Sequence, residues 1–202
     1  MKKLMIILAI FLTGGSLMAQ NKGANFFGLS WEVAFPTGDF VTEPSLLGGK
    51  GEFRHFFTDK IAAGVTLAWN NYDEYVSQKT YENADQTQAV TTDMERFVFN
   101  MPITADVFCH FKAGKRFEPY VGLGLGAQYS SQEAYYNIYV SEEKNWGFVA
   151  RPQVGTLISL QPASPTRLIL AAGYNYATNK NESFRIDNQQ NFWISIGIGW
   201  KN

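Results

Sequence analysis

Thiol and imidazole chemistry is nearly missing from this chain: its 202 residues include one cysteine, Cys109, and two histidines, His55 and His110. A lone cysteine excludes an intrachain disulfide, and so few soft ligands leave no metal cluster to assign. Charge of one sign is lacking too. Lys and Arg total 17 against 18 Asp and Glu, a formal net charge of −1, which leaves no electrostatic footprint for nucleic acid. Gly-x-Ser-x-Gly, His-Glu-x-x-His and phosphate-cradling glycine loops are absent, so we assign no catalytic residue and no cofactor. The repeat at Gly122, Gly124 and Gly126 has strand spacing and no helix after it, unlike a dinucleotide fingerprint. Beyond the first 20 residues no apolar run approaches the ~20 that a membrane helix needs. Barrel strands escape that test, because they alternate and average to modest hydropathy.

What the chain does contain begins with a leader. Lys2 and Lys3 precede the apolar run Leu4 to Leu12, and Ser16-Leu17-Met18-Ala19 forms a small-residue cleavage zone. Residues 1–19 therefore read as a secretory signal peptide and 20–202 as one domain. No charge run, linker or low-complexity tract divides the remainder.

That remainder alternates. At the end of the chain Phe192, Ile194, Ile196, Ile198 and Trp200 share one parity, while Ser195, Gly197 and Gly199 share the other. Side chains alternate faces along a strand, so one face is a large apolar wall and the other is nearly bare. About seven earlier segments repeat the pattern, among them Phe27 to Phe35, Ile61 to Trp69, Phe97 to Phe111, Val121 to Tyr129 and Leu168 to Tyr176. Connections alternate in length. Thr58 to Lys60, Lys112 to Arg116 and Gln161 to Thr166 are short and turn-forming, whereas Pro36–Pro44, Asp73–Asp93, Ser130–Asn145 and Thr178–Gln190 are longer. The pattern predicts an all-β, eight-stranded antiparallel up-and-down transmembrane β-barrel, with short periplasmic turns and long extracellular loops. Pro102 and Pro152 fall inside segments, where a closed barrel offers no free edge, so each predicts either a β-bulge or a strand boundary at that point.

The parity opposite the apolar wall carries Glu32, Lys50, Glu52, Arg54, Arg96, Asp106, Arg151 and Arg167. An eight-stranded barrel is just wide enough for side chains to fill it, so these predict a structural, mixed-sign interior cluster rather than a charged passage. Three finer expectations follow. Glu32 pairs with Lys50 across the first hairpin, His110 pairs with Asp106, and the glycines of facing strands make room for long cationic side chains. Loop acids such as Asp39, Glu43, Glu74, Asp85 and Glu133 read as a solvated rim.

Phe117-Glu118-Pro119-Tyr120-Val121-Gly122-Leu123-Gly124-Leu125-Gly126 resembles the PYVGxGxG strand of the small outer-membrane β-barrel superfamily, of OmpA/OmpX/OmpW type and porin-like. The resemblance implies an eight-stranded barrel inserted by the outer-membrane assembly machinery. It departs from the family where Lys201 and Asn202 follow Trp200, since such barrels often end on an aromatic residue. No catalytic residues carry over. The expectation is a monomer in the cell outer membrane, in contact with lipid and lipopolysaccharide, with a structural, surface-binding or narrow-transport role. Two alternatives compete: a soluble secreted or periplasmic barrel holding a lipophilic ligand, and an outer-membrane lipid-modifying enzyme.

Overall fold

The structure is a computed structural model describing residues 21–38, 41–82, 89–111, 115–136, 139–161, 164–181 and 186–202. The expected leader over 1–19, the rim acids Asp39 and Asp85, and parts of two short turns (112–114 and 162–163) lie outside those residues.

Eight strands run in chain order: β1 (Asn25–Pro36), β2 (Ser45–Phe56), β3 (Ile61–Glu82), β4 (Ala89–His110), β5 (Phe117–Tyr136), β6 (Tyr139–Ser159), β7 (Thr166–Ala177) and β8 (Gln189–Lys201). Each pairs antiparallel with its neighbours, and β8 closes on β1 from Phe26–Lys201 to Pro36–Asn191, making one closed barrel. Closure satisfies backbone donors and acceptors that an open sheet would leave at its edges. At the turn joining β2 to β3, Thr58 Oγ1 accepts the amides of Ile61 (2.9 Å) and Lys60 (3.2 Å), a hydroxyl standing in for a backbone acceptor. Ahead of β1, Gly23 takes φ +80°, open to glycine at no steric cost, and its amide donates to the Phe56 carbonyl at 2.8 Å.

The apolar parity faces outward. Leu29, Val65, Val107, Leu125, Val154 and Ile196 are exposed, while Glu32, Glu52, Arg54, Asp106 and Arg151 are buried. Aromatic pairs knit the wall at both ends, with Phe27–Trp200 stacked at 6.5 Å near the termini and Tyr174–Phe192 at 4.7 Å near the opposite end. Phe27 and Phe35 stand eight residues apart on β1. At ~3.3 Å per residue and a tilt of about 40° that is a wall roughly 20 Å tall.

Two expectations are corrected. The stretches 73–93 and 130–145 are mostly strand rather than loop: β3–β4 pairing continues to Glu82–Ala89, and β5–β6 pairing to Tyr136–Tyr139. The alternation there is polar on both faces, which hid the strands from a search for apolar parity. Pro102 and Pro152 make no bulge. Pro102 pairs in register with Gln128 on β5, and β3–β4 keeps one register from Leu67–Ile103 to Asn70–Asn100, skipping only the pairs between. Pro152 pairs with Leu123 on β5, and β6–β7 likewise resumes in register from Gln153–Gly173 to Ala150–Tyr176. Each ring thus omits a stretch of ladder on one side without displacing the strand. Register does shift between Glu32 and Ala34 and between Val76 and Lys79, where no proline stands.

Candidate functional site

Inside the wall, charge is balanced and paired. Arg151 donates through one guanidinium nitrogen to both carboxylate oxygens of Glu32 at 2.9 Å, and Asn70 donates to Glu32 Oε1 at 2.9 Å. Glu52 lies between two cations, 2.9 Å from Arg54 and 3.4 Å from the Lys50 ammonium. The Arg54 guanidinium also sits 3.8 Å from the Phe108 ring centroid and 4.1 Å from that of Tyr120, and Trp193 takes Lys50 at 4.8 Å and Arg151 at 4.9 Å. A ring face attracts a desolvated cation by its quadrupole, so these aromatics serve as further partners for charge held away from water. Asp106 accepts the Thr104 hydroxyl at 3.1 and 3.2 Å.

The sequence-derived set therefore divides. Glu32, Lys50, Glu52, Arg54, Asp106 and Arg151 are buried in the interior. Arg96 is brought instead to the mouth at the long-hairpin end, where it lines a cavity. Half-buried Arg167 sits at the termini end, donating to the carbonyls of Ser164 and Thr166. Glu32 and Lys50 are not partners: each has a nearer one, Arg151 and Glu52. The reason is register. Glu32 faces Gly48 across the hairpin and Lys50 faces Ser30, so the two charges are staggered. Glycine space is also used differently from expectation. A Cβ at Gly122 would come within 2.7 Å of the Phe108 ring and one at Gly173 within 2.5 Å of Trp193, while at Gly124 it would meet the Asp106 carboxylate. The bare parity admits aromatic rings and a carboxylate, and the cations lie over those rings.

A second cluster, not singled out from sequence, closes the termini end. His110 Nδ1 lies 2.9 Å from Glu118 Oε1, and the Lys201 ammonium donates to both Glu118 oxygens at 3.1 Å and to Asn21 Oδ1. Asn21 Nδ2 donates to Glu118 at 2.8 Å, and its backbone amide to Asp59 at 3.0 Å, drawing the segment before β1 across this opening. His110 thus takes Glu118 in place of the expected Asp106. The signal was present: Glu118 and Lys201 continue the inward parity of Gly122 and Gly199. His55 is only partly buried and its Nδ1 lies 2.8 Å from Asn25 Oδ1.

At the other end the connection from β7 to β8 is fastened over the wall by amides. Asn179 Nδ2 donates to Asn145 Oδ1 at 2.8 Å, Asn181 Nδ2 to Gln132 Oε1 at 3.1 Å, and Gln128 Nε2 to Gln189 Oε1 at 3.0 Å. Above this level the β3–β4 and β5–β6 hairpins carry an acidic rim. The Asp93 carboxylate accepts the Tyr75 hydroxyl at 3.1 Å and Glu133 accepts that of Tyr135 at 2.7 Å, and each holds its phenol above the usual tyrosine range. No group of three or more metal-ligating side chains occurs among the described residues.

An eight-stranded closed ring with an apolar exterior and a salt-bridged core has the fold of the small outer-membrane β-barrels. No family model and no curated sequence matches the chain. Among solved structures, Neisserial surface protein A (NspA) superposes with a TM-score of 0.54 at 14% identity, covering 89% of this chain and 97% of that one. The outer membrane protein OprG of Pseudomonas aeruginosa gives 0.51 at 14%, covering 90% and 96%. The attachment invasion locus protein Ail of Yersinia pestis gives 0.50 at 13%, covering 90% and 99%. At such identities the likeness is one of fold.

Proposed function

We propose that this chain is a non-enzymatic outer-membrane protein in which a closed barrel serves as anchor and a protruding sheet serves as a surface-binding platform. The observation that carries the reading is the unequal strand length. β2 pairs with β3 only as far as Gly49–Trp69, and β6 with β7 only as far as Val149–Ala177, yet β3 to β6 run on as a four-stranded sheet. From Asn70 to Glu82 β3 adds 13 residues. That is about 40 Å measured along the strand. Tyr75, Tyr139 and Val140 are exposed on this sheet, 65%, 61% and 55% of their surfaces respectively. Beyond Trp69 the β3 edge pairs with no second strand among the described residues, and the bulge between Val76 and Lys79 twists it.

The apolar wall supports an anchor in lipid, with outer-membrane lipid and lipopolysaccharide against it and the assembly machinery as its route of insertion. A cleaved leader over 1–19 and a monomeric state belong to the same reading. The soluble barrel with a lipophilic ligand requires an apolar interior, and here the interior is ionic. Narrow transport is disfavoured by the same side chains, because Glu32 of β1 bonds to Arg151 of β6 and Arg54 of β2 lies over Phe108 of β4 and Tyr120 of β5, linking non-neighbouring strands through the lumen that a solute would take.

The test combines topology with conductance. In a Cys109→Ala background, Tyr139→Cys on intact cells is expected to react with a membrane-impermeant maleimide, and Arg116→Cys only after permeabilisation. The purified protein is expected to show no ion conductance in planar bilayers. Steady single-channel currents, or labelling of Arg116→Cys from outside, would contradict the reading.

A further inference from the structure

A formal net charge of −1 conceals a sorting of charge by end. At the turn end Lys22, Lys60, Lys115 and Arg116 are exposed, and none of them forms an ion pair among the described residues. Asp59 is the one exposed carboxylate beside them among those residues, and it already accepts the backbone amides of Asn21 at 3.0 Å and Lys22 at 3.1 Å. Glu118 is buried and bonded to His110 and Lys201. The hairpin end is the reverse. The protruding sheet exposes Asp73, Asp93, Glu95 and Glu142 against Lys79 and Lys144, and Lys144 is paired with Glu142.

Backbone bonds fix the turn-end cations around the ring. The Lys60 carbonyl accepts the His110 amide at 2.6 Å, the Arg116 carbonyl accepts that of Ser159 at 2.8 Å, and the Gly23 amide beside Lys22 donates to the Phe56 carbonyl. Phe57, Phe111 and Phe117 border the same turns on the outer wall and are exposed by 58%, 48% and 56%. Rings at the end of a lipid-facing wall mark the boundary between hydrocarbon and headgroups. Lys60 stands three residues beyond Phe57 and Arg116 adjoins Phe117, so both cations lie at headgroup depth. Long cationic side chains lay their stems along apolar surface and carry the charge out to phosphate.

We propose that the turn end is a docking surface for the headgroups of anionic phospholipid in the leaflet that meets it. The proposal rests on the reading of the apolar wall as a lipid anchor. Continuity with that wall selects lipid over a soluble anion. The cations stand on three separate connections, ahead of β1, between β2 and β3 and between β4 and β5, so each meets its own headgroup. A Lys or Arg near an anionic lipid surface strengthens association about fivefold, within a Debye length. The acidic sheet offers no such attraction, so the preference belongs to one end of the barrel.

The experiment uses the full mature chain in phosphatidylcholine vesicles, titrated with brominated phosphatidylglycerol or brominated phosphatidylcholine. Reporter variants carry one tryptophan each, the others being changed to Phe: Phe117→Trp beside Arg116, or the native Trp146 toward the hairpins, exposed by 59%. The tryptophan at position 117 is expected to report an association about fivefold stronger for phosphatidylglycerol, and Trp146 no preference. Raising NaCl to about 1 M should bring the ratio at position 117 close to one. So should Lys22→Gln, Lys60→Gln, Lys115→Gln and Arg116→Gln combined, with the heat-modifiable folded band of the parent retained. Should the combined variant fail to fold, the salt titration of the parent decides. Equal quenching by the two lipids at position 117, or an equal preference at Trp146, would overturn the proposal. A preference that survives high salt or, in the folded variant, loss of the cations would overturn it equally. Absence of quenching by either lipid at both reporters would overturn the anchor reading itself, and the proposal with it.

Discussion

Glu32 shows how much a single interior side chain carries. Its carboxylate receives Arg151 and Asn70 in a space closed to water. Removing one member of a buried pair leaves the other uncompensated, so Glu32→Ala is expected to cost about 3–5 kcal/mol in urea unfolding from vesicles. A double-mutant cycle with Arg151→Ala should show strong coupling, whereas one with Lys50→Ala should show little; the reverse order would contradict the pairing. Arg54 makes a related case. Its guanidinium lies over two rings while bonded to Glu52, a geometry that an ammonium reproduces poorly, so Arg54→Lys is expected to cost about 2 kcal/mol in the same assay. The inward parity of Glu32, Lys50, Glu52, Arg54, Asp106 and Arg151 was legible in the sequence because period 2 needs only local counting. Which of them pair was not, since Glu32 and Arg151 stand 119 positions apart and meet only when the ring closes.

At the scale of the strand, glycines and apolar residues have opposite tolerances. A Cβ on Gly126 would strike the Ile103 carbonyl of the neighbouring strand, while one on Gly51 would meet only Leu29 Cδ2 at 3.6 Å. Gly126→Ala is therefore expected to destabilise by about 1–3 kcal/mol. Gly51→Ala should be neutral or stabilising by about 0.4–1 kcal/mol, because it removes freedom from the unfolded chain. On the outer face, Leu125 is flanked by Ala105 and Ala150 and exposed. Leu125→Arg should cost roughly 2–4 kcal/mol in lipid if it lies near the bilayer midplane, measured as a shift in unfolding midpoint. Strand existence was readable wherever one parity was apolar. It failed for the outer halves of β3 to β6, such as Asn71 to Glu82, because a sheet wetted on both faces has no hydrophobic alternation to count. The prolines misled for a different reason: a missing amide breaks one hydrogen-bonded side of the ladder, yet Pro102 and Pro152 keep their partners on β5 and so hold register without a bulge.

The molecule as a whole joins two solutions to one problem. Below, the eight strands close into a ring whose outside is apolar and whose inside is ionic; above, four of the strands continue as a sheet bearing tyrosines and acids. The expected order of stability follows, with amide exchange slowest at the ring level of β1, β8 and the lower half of β5, and fastest near the hairpin tips at Glu82–Ala89 and Tyr136–Tyr139. The two ends of the lumen differ as well: Lys201, Glu118 and Asn21 close one, and the other opens into the cavity beside Tyr72.

The central claim is that the apolar parity faces lipid and the charged parity faces the lumen, and tryptophan reports both. Trp31 lies on the outer wall at 54% exposure and Trp193 inside at 1%. Single-tryptophan variants retaining one or the other, with the remaining four changed to Phe, would be reconstituted into vesicles of bromine-labelled phospholipid. The account expects strong quenching of Trp31 fluorescence and almost none of Trp193. Equal quenching of the two, or quenching of Trp193 alone, would contradict it.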